Sequence, residues 1–151
     1  AKGVATIGTI SNSIFGSGLT PEQALAVNMK GKGIVLIVGC GHQTLTRILR
    51  RTESLFEQPI YGVLGGLHLA VEGGPFEVMG MFLHKYLGTG KLPWQPITLN
   101  ELQENIELLS KRSPKVVGLS PHDSSKASIQ AFRDGFPTAY KDIKVGETIV
   151  I

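Results

Sequence analysis

The stretch from residue 34 to residue 69 constrains the fold more than any other part of the chain. The run IVLIV at 34–38 is apolar on both faces, as in a strand that is covered on two sides. From Thr44 onwards, apolar residues at helical spacing alternate with arginines, which predicts a helix with a basic outer face. The run PIYGVL at 59–64 predicts the next strand. Two buried strands joined by a helix form a βαβ unit, so we expect this pair to be parallel.

Helices and strands continue to alternate outside this unit. The clearest helix covers 98–113, where Thr98 and Glu101 form a capping box. A later helix has Asp123 or Ser124 as its cap. Besides these, we predict strands at 3–10 and 115–119, a strand or hairpin at 143–151, and helices at 20–29 and 124–136. This order of elements predicts an α/β layered fold.

The helix predicted over 20–29 rests on the residues at its start. Thr20 is a good N-cap, Pro21 suits the first helical position, and Gln23 completes a capping box. The segment 11–18 before it is rich in serine and glycine, so we expect a loop there.

Residues 70–97 form the least regular part of the chain. Several glycines and prolines interrupt this segment, although a short helix near 76–87 fits its apolar spacing. We interpret 70–97 as an insertion or lid within a single domain that covers residues 1–151. His84 lies inside this segment and is interpreted as a surface or packing residue.

Composition excludes several classes of protein. The chain has 151 residues, 42% hydrophobic and 18% charged, which fits one soluble domain with its own core. The net charge of +3 is spread along the sequence, so we expect no nucleic-acid partner. No apolar run approaches the roughly 18 residues that span a membrane, and from the opening residues we expect no secretory signal. With one cysteine there is no internal disulfide, and a reducing cytoplasm is the expected location. Because the chain begins at Ala, we expect a processed, trimmed or partial protein.

Three of the four histidines follow the carboxyl ends of predicted buried strands. His42, His68 and His122 lie within two or three residues of those ends, which form the ligand crevice of an open α/β sheet. If the strands are neighbours, the imidazoles converge on one edge, and the glycines before them keep that edge free of side chains. Imidazole is the commonest protein ligand of transition metals, so a metal is one candidate occupant of a shared polar site. Asp123 could add a carboxylate oxygen or orient an imidazole. A purely structural role for each histidine stays open.

Cys40 allows several interpretations. His42 follows it by two positions, so the two could form a nucleophile–base pair, and a nearby helix N-terminus would lower the pKa of the thiol. A buried small hydrophobic residue is the ordinary alternative. The stretch GCGHQT also resembles an anion-binding turn, although it lacks the lysine of a P-loop.

Four motifs, in this order, resemble the later half of metallo-β-lactamase-fold hydrolases. They are GIVLIVGCGHQTLTRILRR (33–51), PIYGVLGGLHL (59–69), SPHDSS (120–125) and IKVGETIVI (143–151). The branch that they resemble most is the dihydropterin-ribofuranosyl-aminobenzene-phosphate-synthase-like one. In that branch one strand ends in Gly-Cys-small-His, the next ends in Gly-Gly-aromatic-His-Leu, and Pro-x-His-Cys-Thr-Gly lies near the C-terminus. The resemblance covers residues 3–69 and 98–151.

This resemblance implies half of a four-layer αβ/βα sandwich, a mixed sheet with flanking helices. It also implies a hydrolase with a metal site at the sheet edge, often dinuclear, where metal-bound hydroxide attacks a phosphoester, ester or lactam of a small-molecule substrate. By motif, His42 and His122 are implied as metal ligands, and His68 matches the second strand-end histidine. Cys40 is implied as part of the motif scaffold or as a soft ligand. Zinc is the expected metal, with manganese or iron as alternatives.

The chain also departs from the family pattern. The His-x-His-x-Asp-His loop that supplies most of the family's ligands does not occur in this sequence, HDSS replaces HCTG, and Leu67 replaces the aromatic residue. We therefore expect the other half of the site to come from a missing N-terminal half or a homodimer partner. The alternative function is a non-catalytic module that binds itself or a partner and has a degenerate metal site. A cysteine-dependent or phosphate-binding enzyme that uses Cys40 is a third possibility.

Overall fold

The molecule is built on one mixed sheet with helices packed on one face. The computed structural model describes residues 2–14, 18–72, 77–78, 81–82, 91–92 and 94–151. The main strands are β1 (Val4–Thr6), β4 (Ala24–Met29), β5 (Gly33–Val38), β6 (Ile60–Gly65) and β9 (Val116–Leu119). They lie in the order β1-β4-β5-β6-β9. The three strands β5, β6 and β9 are parallel, and β4 and β1 add antiparallel pairs. The predicted α/β fold, with a mixed sheet and flanking helices, is confirmed.

The βαβ unit predicted from residues 34–69 is present. Helix α1 (Leu45–Leu55) connects β5 to β6, and these two strands pair in parallel. Ile48 and Leu49 are fully buried against the sheet, while the arginines of α1 are exposed. Each such buried side chain contributes about 1.5–3 kcal/mol, which is enough to fix this helix on the sheet.

Two further helices complete the layer. In α2 (Leu99–Ser110), Glu101 N–H donates to Thr98 Oγ1 and Thr98 N–H donates to the Glu101 carboxylate, so the predicted capping box is present. Helix α3 (Lys126–Gly135) follows β9, as predicted. Its cap is Ser125, which accepts the Ser128 N–H, rather than Asp123 or Ser124.

The helix predicted over 20–29 is wrong. The loop predicted over 11–18 is also wrong where the structure describes it, since 15–17 lie outside the described residues. Strands β2 (Ile10–Ile14) and β3 (Gly18–Glu22) form an antiparallel hairpin, and the chain continues directly into β4. Pro21 sits in β3, which lies in a two-stranded sheet and therefore tolerates a residue without an N–H.

Strand β4 shows why the helix signals failed. Ala24 and Ala26 are buried while Leu25 between them is exposed, which is the period-two alternation of a strand. The strand pairs with β1 on one side and β5 on the other. This pairing on both edges outweighs the local preference of Thr20 and Pro21 for a helix start.

The segment 143–151 is not a strand or hairpin ladder. It contains a turn in which Glu147 N–H donates to Lys144 O, with no strand assigned across it. Its isoleucines are half-buried against a small cluster on the sheet face opposite the helices, formed by Val35, Leu64 and Val116. The apolar residues that favoured a strand are therefore used for packing.

The predicted insertion or lid at 70–97 lies largely outside the described residues, His84 included. The helix expected near 76–87 is wrong where the structure describes this segment, because β7 (Glu77–Val78) and β8 (Met81–Phe82) are extended and pair antiparallel. Within the described parts of the chain, no helix is long and apolar enough to cross a membrane.

Glu101 gives the fold a dependence on pH that can be measured. Burial raises the pKa of this carboxyl, but its contacts with Lys91 and Thr98 outweigh burial, so the pKa is lowered overall. A lowered pKa in the folded chain stabilises the protein above the unfolded-state pKa, and this stability is lost as the pH falls through the folded-state value.

We therefore expect Glu101→Gln to lower stability by about 0.2–1 kcal/mol at neutral pH. The difference should vanish at a pH low enough to protonate Glu101 in both the folded and the unfolded chain. Thermal unfolding of the variant and the wild type across the acid range measures this difference. Glu104→Gln, an exposed change on the same helix, is the matched control. A Glu101→Gln deficit that persists unchanged in acid would contradict the assignment.

Candidate metal centre

The loop that leaves β5 places Cys40 and His42 at the carboxyl edge of the sheet. Gly41 has a φ of 83°, and a Cβ at this position would collide with the backbone of Gly66 after β6. Only glycine fits there without strain. Thr44 N–H donates to Gly41 O at 3.0 Å and closes the turn into α1. The small residues of this motif therefore allow two strand-end loops to touch.

The hairpin β2–β3 holds His42 through three contacts. Glu22 Oε1 lies 2.5 Å from His42 Nδ1, and Glu22 Oε2 accepts the His42 backbone N–H at 3.0 Å. Asn12 Nδ2 donates to the carbonyl oxygen of His42 at 2.7 Å. The ring and both of the backbone polar groups of His42 are thus engaged by one hairpin.

The contact between Glu22 and His42 favours the charged form of both side chains. The hydrogen bond to Glu22 raises the pKa of His42 against the opposing effect of burial, and the charges of Glu22 and Asp123 add to it. Burial raises the pKa of the Glu22 carboxyl, but the hydrogen bonds and charge of His42 outweigh burial and lower it overall. The pair therefore carries an imidazolium and a carboxylate over a wider pH range than isolated side chains would.

Cys40 lies in an environment that keeps its thiol protonated. Burial raises the pKa of this thiol, and the negative charges of Asp123 and Glu22 and a hydrogen bond with Asp123 raise it further. Because the thiolate is the nucleophile, these surroundings argue against a nucleophilic cysteine at this position. They leave the thiol available as a soft ligand, which loses its proton when a metal binds.

Glu22, Cys40 and His42 form a cluster that could hold a metal. Each offers one ligand atom, and these atoms all lie within 4.8 Å of one another. The three side chains are half-buried. The cluster joins a strand-end loop, which the sequence predicted as part of the site, to a residue from a hairpin that it did not predict.

The structure brings two of the three predicted imidazoles together. The ring centroids of His42 and His68 are 4.6 Å apart, and His68 is buried. The side chain of His122 is 65% exposed, and its Nε2 lies 3.8 Å from Oδ1 of the buried Asp123. Asp123 also bonds Cys40. Of the motif SPHDSS, Asp123 is therefore the residue that contacts the cluster of Glu22, Cys40 and His42. The roles of His42, His68 and His122 as metal ligands stay predictions.

Glu22 is the residue of this site that the sequence analysis missed. The helix predicted over 20–29 would have separated it from the strand-end loops. The signal that could have found it is the pattern of Ile10 and Ile14, which are buried around a polar stretch and are typical of a hairpin strand with one face in the core.

A pocket opens beside the two imidazoles. It encloses about 460 Å³, part of it open to solvent. His42 and His68 contribute to its wall together with the ion pair of Lys91 and Glu101. Its apolar lining comes from Leu45, Leu67, Leu69 and Ile97. This mixture suits a small molecule with an apolar body and a polar group.

The architecture of the chain has a counterpart among solved structures. It is similar to the crystal structure of Tm1679, described as a metal-dependent hydrolase of the β-lactamase superfamily, with a TM-score of 0.71 and 17% sequence identity. The match covers 100% of this chain and 54% of that chain. The fold is half of a metallo-β-lactamase fold. This half-fold spans about half the length of Tm1679. No protein-family model and no curated protein sequence matches this chain.

Substitution of Gly66 tests how closely the strand-end loops of the half-fold pack together. A Cβ at Gly66 would collide with Gly39 O and lie 2.5 Å from Asp123 Oδ2, whereas a Cβ at Gly39 would meet nothing within 4 Å. We expect Gly66→Ala to cost about 1–3 kcal/mol through overpacking. Gly39→Ala should change stability by less than about 0.5 kcal/mol. Urea unfolding of both variants makes the comparison, and equal costs would show that the loops are not in contact as described.

Proposed function

We propose that this chain is the C-terminal portion of a metal-dependent hydrolase of the metallo-β-lactamase superfamily, from its dihydropterin-ribofuranosyl-aminobenzene-phosphate-synthase-like branch. The observation that carries the proposal is the cluster of Glu22, Cys40 and His42 at the carboxyl edge of the sheet. It lies in a half-fold that is similar to a hydrolase described as metal-dependent. The branch is supported by the order of the three strand-end motifs and by the helices between them.

The donor set suits a divalent transition metal. Imidazole nitrogen, thiolate sulfur and carboxylate oxygen are the three ligand types of zinc sites, and a thiol disfavours magnesium and calcium. His42 and Cys40 would hold the ion together with a carboxylate from the pair Glu22 and Asp123. His68 and His122 are the further proposed ligands at the same edge. When bound, zinc supplies a Lewis acid and an activated water for the hydrolysis of a phosphoester, ester or lactam.

The remaining residues of the pocket would bind and orient the substrate. The leucines and Ile97 offer an apolar surface that excludes water from one side of a small molecule. Lys91, Glu101 and Asn105 offer polar groups on the same lining. The reaction centre would lie where the pocket meets His42.

Zinc binding by the full chain tests this proposal. We expect the wild type to bind zinc in equilibrium dialysis with metal analysis, and His42→Ala to weaken binding by at least about 10-fold, the lower limit for loss of a residue that supports a metal ligand. Glu104→Gln, an exposed carboxylate change, is the control and should bind as the wild type does. His122→Ala shows in the same assay whether that residue is a ligand. Equal binding by His42→Ala and the wild type would refute the metal site.

Association through the open face of the sheet is a second candidate function. On the face opposite the helices, Leu25 is 43% exposed and Ile37 is 38% exposed, and the two are paired across β4 and β5. Val4 on β1 is 42% exposed on the same face. The segment 143–151 covers a different part of this face. A contiguous apolar surface on a sheet is typical of an interface, and a second copy of the chain offers a matching surface.

We expect the isolated chain to associate through this face. In size-exclusion chromatography with light scattering, the wild type should be larger than a monomer, and Leu25→Lys should shift it towards the monomer. Leu55→Lys is the matched control, because Leu55 is also 43% exposed but lies at the end of α1. A monomeric wild type at high concentration would exclude self-association.

A further inference from the structure

The hairpin β2–β3 is itself anchored, so it can impose a geometry on His42. Ile10 and Ile14 are buried at the two ends of β2. Every residue of this strand is paired with one of β3, which ends at Glu22. Asn12 pairs with Thr20 and Glu22 pairs with Ile10, two positions apart along the hairpin. Both Asn12 and Glu22 bond His42. The carboxylate of Glu22 is thus held by a rigid element.

We propose that Glu22 is a positioning residue that selects the tautomer of His42. A carboxylate has only acceptor atoms. Its Oε2 accepts the His42 backbone N–H, and its Oε1 faces Nδ1 of the same residue at 2.5 Å. The proton of a neutral His42 ring therefore lies on Nδ1, and Nε2 carries the electron pair.

The choice of tautomer decides which atom of His42 meets a ligand. Nδ1 is turned to Glu22, so Nε2 is the nitrogen available at the pocket that His42 lines. The consequence for a metal rests on the proposed function: His42 would bind the ion through Nε2, with Glu22 behind the ring and not on the ion. Cys40 is then the residue of the cluster that shares the ion with His42, and its thiol also bonds Asp123.

The chemistry of the carboxylate gives a test with almost no change of shape. In Glu22→Gln the side chain has one acceptor and one donor end. The backbone N–H of His42 can only donate, so the amide oxygen must face it. The amide NH₂ then faces Nδ1, which must accept, and the ring proton moves to Nε2. We expect Glu22→Gln to invert the tautomer of His42.

Long-range ¹H–¹⁵N correlation spectra of the ¹⁵N-labelled full chain, recorded with the imidazoles neutral, report which ring nitrogen carries the proton. The wild type should show a protonated Nδ1 in His42, and Glu22→Gln should show a protonated Nε2. Glu53→Gln removes a carboxylate that pairs with Arg112 and should leave His42 unchanged. A wild-type His42 protonated on Nε2, or a Glu22→Gln spectrum like that of the wild type, overturns the proposal. The wild-type spectrum alone decides it if the variant does not fold.

Zinc affinity separates this proposal from the proposed function. If both hold, Glu22→Gln should bind zinc about 10–100-fold more weakly than the wild type, because the ligand nitrogen now carries a proton. A tautomer change in a chain that binds no zinc in either form supports the positioning role and refutes the metal site. Loss of zinc without a change of tautomer overturns the positioning role and makes Glu22 a ligand.

Discussion

The pairing of β5 between β4 and β6 is the constraint on which the rest of the structure depends. Val35 and Leu36 of β5 point to opposite faces of the sheet, and both are buried. With β6 and β9 parallel to β5, three carboxyl ends meet at one edge. The backbones there approach closely: Gly66 N–H donates to Gly39 O at 2.8 Å, and Ser120 N–H donates to Gly65 O at 2.8 Å. The residues that follow these strands therefore leave the sheet at one edge.

The candidate metal centre combines residues from two parts of the chain at this edge. The strand-end loops bring Cys40, His68 and Asp123 to it, and the hairpin β2–β3 brings Glu22. His42 lies between these two groups and contacts both. Two carboxylates beside an imidazole and a thiol give the edge a negative character that favours a cation. Burial raises the pKa of the Cys40 thiol and these charges raise it further, while the hydrogen bond with Glu22 raises the pKa of His42 and the charges add to it.

Local sequence patterns predicted the elements that are stabilised by neighbouring residues or by a single buried face. The unit at 34–69 and the capping box of Thr98 and Glu101 follow from hydrophobic periodicity and from side chains three residues apart. The strand β4 could not be found in this way, because Thr20, Pro21 and Gln23 favour a helix start before it, and only its ladders to β1 and β5 make it a strand.

The candidate site likewise contains residues that local sequence patterns could predict and residues that they could not. The approach of His42 and His68 could be predicted from the strand ends, because the carboxyl ends of parallel strands meet at one edge of the sheet. In the motif PHDSS, however, the loop after β9 has no regular period, so the sequence could not tell that Asp123 faces inward and His122 outward. Glu22 was hidden for a different reason, because its contact with His42 crosses between two sheets.

The open face and the candidate metal centre lie on different sides of the half-fold. The exposed residues Leu25 and Ile37 lie on a face of the sheet, whereas His42 lies at the end of the strands. A second sheet that packs on that face therefore covers it without crossing the strand ends. Under the function proposed above, a zinc beside His42 would need three protein ligands and one open position. Under that proposal, burial of the face and completion of the donor set do not exclude one another.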